Sequence, residues 1–372
     1  MASSWNHGHR AGLVSVGLYK LWLEVVGPDR KPDMPVVIVL PGIAGYRSEW
    51  AAVVRLLSPF VRVVTYDREG IGNSESSPLP PRYKYIVGDL NRLLALAGIG
   101  PPYLILASGY GGILAREFIR KRPNDHIAGL VLADTHSENT LRDLDPRPFF
   151  DYVRANGVDL DKILEGLLHH QMSPEESLQI KVDAFSGRNS IQTLAECEKS
   201  LQSYEEMARE MAGLKMPLLG SKPLSIVIGN SGIEMQALNY EVNKLPAVDQ
   251  AERAHWNNWA NRYAVVDHRL QSDAQRLSTD HIIYHAGYWS SHKIHLTEPA
   301  LLAHITLKTM FASIAANYKN RFDRSVTGSA SQSMINDTAT PMQRDDQEIV
   351  EKDNLPQVYH RNVCTCILCL TR

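Results

Sequence analysis

Apolar residues in the first third of the chain form two patterns that alternate. Short apolar runs rich in Val, Ile and Leu predict strands, most of them buried on both faces, and the stretches between them have the apolar spacing of helices. The predicted strands are 17–27, 35–42, 61–67, 102–108 and 127–134, and the predicted helices are 47–60, 85–100 and 110–122. This alternation predicts an α/β fold, with a mostly parallel sheet covered by helices on both faces.

The rhythm changes after His136. Residues 137–221 have helical spacing without strands, which predicts a helical cap inserted over one end of the sheet. A strand at 223–230, a long helical stretch, a strand at 281–287 and a helix at 298–318 then resume the first pattern. We therefore expect an α/β core in two parts (1–136 and 222–322) interrupted by the cap, and a tail (323–372) whose small polar residues predict disorder.

Composition excludes several classes of function. The net charge of the 372-residue chain is -2, so no strong attraction to nucleic acid or to an anionic membrane follows. We see no apolar segment typical of a signal peptide or a membrane span. The four cysteines are too few for a disulfide framework, which favours a cytoplasmic protein. Three of them crowd the C-terminus without a fourth zinc ligand nearby (Cys364, Cys366 and Cys369), and we expect neither a metal nor a cofactor.

Ligands of such sheets collect at the carboxyl ends of the strands, so the residues after each strand are the ones to inspect. Five of these segments, in this order, resemble motifs of the α/β-hydrolase superfamily, in its capped branch. They are "VLPG" (39–42), "VVTYDREGIGNS" (63–74), "LILASGYGG" (104–112), "GLVLADTHSE" (129–138) and "SSHKIHLTEPALLAHI" (290–305). The resemblance implies the α/β-hydrolase fold, with a nucleophile elbow after the fifth strand.

The resemblance also implies the site residues. His292 takes the position of the catalytic base, and Asp134 takes that of the acid that orients it. Glu234 is the second choice for the acid, because the strand before it has no acidic residue directly at its end. The backbone amides of Ile43 and Tyr110 take the positions of an oxyanion hole.

Two residues depart from the superfamily pattern. Pro41 stands where a histidine is usual, and Gly109 occupies the tip of the elbow, where the nucleophilic serine is usual. Glycine removes most of the cost of the strained elbow conformation, so the fold should not suffer. A normal acyl-enzyme mechanism should be severely impaired, because loss of the serine from such a triad lowers the rate by about 10⁶. Ser108 is a less favoured alternative nucleophile, because it precedes the tip and its side chain is expected to point away from the elbow.

Three functions remain open on the sequence. The first is an enzyme acting on a small, largely apolar organic molecule, for example a biosynthetic hydrolase, lyase or cyclase, in which His292 and Asp134 form a general-base dyad. The second is a non-catalytic ligand-binding protein, and the third is a serine esterase whose nucleophile has been substituted. In each case a capped apolar pocket is expected, with these candidate lining residues in the cap: Phe149, Phe150, Tyr152, Leu164 and Leu167.

Overall fold

The structure, a computed structural model, describes residues 4–184 and 187–330. Within these residues the chain forms an eight-stranded sheet with the strand order β1-β2-β4-β3-β5-β6-β7-β8. Strand β2 is antiparallel to β1 and β4, and the neighbours from β4 to β8 are parallel. The strands are β1 (Arg10–Ser15), β2 (Lys20–Val26), β3 (Val36–Leu40), β4 (Val63–Tyr66), β5 (Tyr103–Gly109), β6 (Ile127–Thr135), β7 (Leu224–Ile228) and β8 (His281–His285). The predicted α/β fold with a mostly parallel sheet is confirmed.

Helices cover both faces of the sheet. On one face, α2 (Tyr83–Leu96) and α3 (Gly111–Arg120) bury apolar side chains such as Leu90 and Phe118. On the other face lie α1 (Ala51–Leu57), the short α11 (Ile294–Thr297) and α12 (Pro299–Ala330). Because both faces are covered, every residue of β3, β5 and β6 is buried, which explains their mostly apolar sequences.

Helix α12 differs from the sequence prediction in length. It is described as far as Ala330, so residues 323–330 of the predicted disordered tail are helical, and residues 331–372 lie outside the described part of the chain. By length and composition alone, its residues 299–319 could cross a membrane. Leu302, Ile305 and Met310 are nevertheless buried against the sheet, as in the core helix of a globular domain.

The helices over the carboxyl ends of the strands come from two parts of the chain. From the predicted cap come α4 (Thr140–Asp143), α5 (Arg147–Ala155), α6 (Leu160–Leu167), α7 (Pro174–Ala184) and α8 (Gly187–Ala212). After β7 come α9 (Gly232–Asn243) and α10 (Gln250–Ser272), which the sequence boundaries assign to the core. These share an apolar cluster with α5 and α6, in which the rings of Phe149 and Trp259 stack at 4.8 Å. The cap therefore includes α9 and α10, whereas α8 buries Tyr204 and Met207 in the main core.

Candidate active site

The turn between β5 and α3 has the geometry of a nucleophile elbow. Gly109 ends the strand with a φ of +49°, in the left-handed region that glycine adopts at little cost, and Tyr110 precedes the helix. Gly111 then passes so close to β3 that a Cβ atom on it would lie 2.0 Å from the Leu40 carbonyl oxygen. Glycine is therefore favoured at position 109 by the backbone conformation and at position 111 by the lack of space for a side chain.

Asp134 reaches this turn from the end of β6. Its φ is +46°, and the pairing of β5 with β6 shifts between Ser108 and Gly109, so Ala133 and Thr135 have partners and Asp134 is the extra residue of a bulge. The bulge turns the carboxylate toward the loop after β8. There the Nδ1–H of His292 donates to Asp134 Oδ2 at 2.5 Å.

The surroundings of Asp134 keep its carboxyl group ionised. Burial by itself would raise the pKa of Asp134, but the hydrogen bond and the charge of His292 outweigh it and hold this pKa below the ordinary value. Its second oxygen, Oδ1, accepts hydrogen bonds from Gln271 Nε2 at 2.6 Å and from the Gly229 amide at 3.1 Å. Since an ionised carboxylate only accepts, it fixes the proton of the imidazole on Nδ1 and leaves the lone pair on Nε2.

That basic nitrogen lies beside the elbow. A Cβ atom built on Gly109 would lie 3.2 Å from His292 Nε2 and 3.4 Å from Gly42 Cα. A side chain at this position would therefore begin in contact with the imidazole. Ser108 is buried, but it is not among the described residues that line the adjoining cavity.

The loop after β3 forms the other side of the elbow, and Ile43 and Tyr110 both line the cavity there. A fully buried ion pair stabilises this loop. Arg68 donates to the carbonyl oxygens of Pro41 (3.2 Å) and Gly42 (2.5 Å) and pairs with Glu196 through its Nε at 2.7 Å. The second oxygen of Glu196 accepts the amide of Ala44 at 2.6 Å. The loop is thereby held in one conformation.

Glu234 contacts the loop that carries the base. It accepts hydrogen bonds from the Ser291 hydroxyl and from the His292 backbone amide, so it anchors the main chain, whereas Asp134 binds the ring. Sequence reasoning missed a further carboxyl group, Asp267 of α10, which accepts from Ser231 at 2.5 Å. Burial, and then the charge of Asp134, raise the pKa of Asp267 to about 7. No motif marks Asp267, because it lies near the C-terminal end of an ordinary polar helix.

These groups meet in one cavity of about 40 Å³. This is room for about three water molecules, since one water needs roughly 10–15 Å³. The polar lining residues include Asp134, His136, Thr140, Ser231, Glu234, Tyr263, Asp267 and His292, and the apolar ones include Ile43, Leu141, Leu144, Pro146, Phe150 and Met235. Of the cap residues proposed from sequence only Phe150 lines it, because Phe149, Tyr152, Leu164 and Leu167 pack in the cap's own core.

Comparisons with known proteins agree with this architecture. Residues 35–166 match a family model described as the alpha/beta hydrolase fold. An "AB hydrolase superfamily protein" of Gibberella zeae is 28% identical over 318 residues, which are 81% of this chain and 96% of that protein. The "Probable transporter efuK" of Hormonema carpetanum is 26% identical, and the match covers 81% of this chain but 43% of that protein. The crystal structure of the haloalkane dehalogenase DbeA from Bradyrhizobium elkani superposes with a TM-score of 0.56 at 16% identity, covering 83% of this chain and 99% of DbeA. The chain therefore has the α/β-hydrolase fold.

Proposed function

We propose that this protein is an enzyme of the α/β-hydrolase superfamily in which His292, oriented by Asp134, acts directly as a general base on a small, largely apolar organic molecule or on a water beside it. No covalent intermediate forms at Gly109 in this mechanism, because the elbow residue has no side chain. The reaction is a hydrolase, lyase or cyclase step. The backbone amides of Ile43 and Tyr110 stabilise the negative charge that develops on the substrate.

One observation carries the proposal. His292 is bound on one side to a buried carboxylate, at 2.5 Å, and its other nitrogen points at the space where an elbow side chain would begin, at 3.2 Å. The base and the acid of a catalytic triad, two of its three members, are thus assembled around an elbow residue that has no side chain. A substrate atom or a water in that space would lie within reach of the basic Nε2.

The lining of the cavity supports the substrate class. Its small volume suits a compact molecule, and its lining combines apolar side chains such as Phe150 and Met235 with the polar groups near His292.

The rate enhancement expected from these groups is sufficient for an enzyme. A positioned general base contributes about 10²–10⁴ to the rate, and each oxyanion donor contributes about 10²–10³. Such an enzyme is slower than a complete serine hydrolase, but it is measurable on a matched substrate.

The test is conversion of a small-molecule extract followed by mass spectrometry. Wild-type protein, His292→Ala and the matched control His304→Ala, which changes an exposed histidine of α12 outside the cavity, are incubated with the same extract. We expect wild type and the control to deplete a compound and form a product, and His292→Ala to do neither. Conversion by His292→Ala at the wild-type rate would overturn the proposed base. Binding of a compound without any product would favour the alternative, a ligand-binding protein.

A further inference from the structure

A second imidazole lies beside the proposed base. The rings of His136 and His292 stack with centroids 5.5 Å apart and an angle of 20° between their planes. His136 follows the end of β6, and its backbone amide donates to the carbonyl oxygen of Gly109 at 3.1 Å. The residue is therefore tied to the elbow by its main chain and lines the cavity with its side chain.

Tyr204 of α8 holds the His136 ring in one tautomer. The Tyr204 hydroxyl is hydrogen-bonded to His136 Nδ1. Burial, and then the neighbouring Tyr110, raise the pKa of Tyr204 well above its ordinary value, so the phenol keeps its proton and donates it to Nδ1. Nδ1 is then the acceptor, and the ring proton resides on Nε2.

The ring also stays neutral. Burial, followed by the charge of His292, lowers the pKa of His136 to about 3. In the described part of the chain, some buried polar atoms have no hydrogen-bond partner, and His136 Nε2 is not one of them. Because the ring lines the cavity, its Nε2–H is accessible to a ligand there. The cavity thus contains an acceptor, the Nε2 lone pair of His292, and next to it a neutral donor.

We propose that His136 is a substrate-binding residue whose Nε2–H, oriented by Tyr204, donates a hydrogen bond to an oxygen of the substrate while His292 acts on a neighbouring atom. This inference rests on the proposed function for its setting and narrows the substrate to a small, largely apolar molecule that carries a carbonyl or hydroxyl oxygen. Because the buried carboxylate of Asp134 lies directly behind His292, a neutral oxygen is favoured over a carboxylate or a phosphate.

Nuclear magnetic resonance of protein labelled with ¹⁵N-histidine tests the tautomer without any turnover. The His136 signals are assigned by their loss in His136→Gln. We expect a neutral ring protonated on Nε2 from about pH 5.5 to 8 in wild type, and a mixture of tautomers in Tyr204→Phe, which removes only the hydroxyl. A ring protonated on Nδ1, or one that titrates in this pH range in wild type, would refute the proposal.

Ligand binding tests the donor in the same spectra. Cyclopentanone is a small apolar ketone, and methylenecyclopentane has nearly the same shape without the oxygen. We expect cyclopentanone, but not methylenecyclopentane, to shift the His136 Nε2–H signal. A ketone that moves the His292 signals and leaves His136 unchanged, or equal shifts with both compounds, would contradict the proposal, as would no shift with either.

Kinetics on a compound that the wild type converts separate binding from catalysis. His136→Gln keeps an N–H donor, and His136→Leu removes it. We expect His136→Leu to lower kcat/KM about tenfold, mainly through KM, and His136→Gln to recover most of it. An unchanged KM in His136→Leu would overturn the binding function of His136 and leave the base untouched, whereas turnover by His292→Ala would overturn the base and leave the tautomer result standing.

Discussion

Gly109→Ala tests the elbow geometry on which the account depends. A residue with a Cβ atom in the left-handed region costs about 1–2 kcal/mol, and the φ of Gly109 is +49°. The new methyl group would also lie 3.2 Å from His292 Nε2 and 3.4 Å from Gly42 Cα, so the ring must move by a few tenths of an ångström. A displaced rotamer costs roughly 0.5–1.5 kcal/mol. We therefore expect the free energy of unfolding to fall by about 1.5–3.5 kcal/mol.

Two matched variants separate these contributions in urea unfolding followed by far-UV circular dichroism. Gly157 has a φ of +74° and no atom within 4 Å of an added Cβ. Gly157→Ala should therefore lower the free energy of unfolding by the conformational contribution alone, about 1–2 kcal/mol. Gly88 lies inside α2 with open space around it, so Gly88→Ala is expected to stabilise the protein by about 0.5–1 kcal/mol. If Gly109→Ala proves as stable as Gly157→Ala, the imidazole does not crowd the elbow and the geometry argued here is wrong.

Three other variants follow from the same contacts. Glu196→Gln leaves Arg68 as a buried charge without its partner and should lower the free energy of unfolding by about 3–5 kcal/mol in urea titrations, and a loss below 1 kcal/mol would show that the pair does not brace the loop. Burial, and then Glu196, raise the pKa of Glu69 to about 8. The folded protein therefore holds a proton that the unfolded chain releases between about pH 4.5 and 8, and this group's contribution to stability falls as the pH rises through that range. Glu69→Gln should accordingly stabilise the protein more at pH 9 than at pH 5, and equal effects at both would contradict this. Gly109→Ser places a hydroxyl beside His292 Nε2, so it should react with a fluorophosphonate probe that leaves wild type unlabelled. Unlabelled Gly109→Ser would mean that the elbow cannot hold a nucleophile.

Sequence patterns predicted most of the fold because the central strands are buried on both faces and therefore apolar throughout. They missed β1 (Arg10–Ser15), an edge strand whose residues are exposed or half-buried and carry little apolar signal. They also assigned α9 and α10 to the core. The apolar positions of these helices indicate that a face is buried, but not that it packs against α5 and α6.

Only the site residues that lie within recognisable motifs could be predicted from the sequence. Asp134 and His292 are 158 residues apart, and it is their resemblance to known motifs that paired them in advance. The partner of Arg68 is 128 residues away in a helix without any motif, and Tyr204, which binds His136, is likewise an unmarked position in that helix. Long-range pairs of this kind follow from the three-dimensional path of the chain, which local patterns do not encode.

A double-mutant cycle on His292 and Asp134 tests the central claim most directly, using a compound that wild type converts. If the carboxylate acts only through the imidazole, His292→Ala should lose about 10²–10⁴ in kcat/KM, and His292→Ala combined with Asp134→Asn should lose no more than His292→Ala alone. Asparagine tolerates the left-handed backbone of position 134, so the single variant should still fold. Losses that multiply in the double variant would show that the two residues act independently, and the dyad would have to be abandoned.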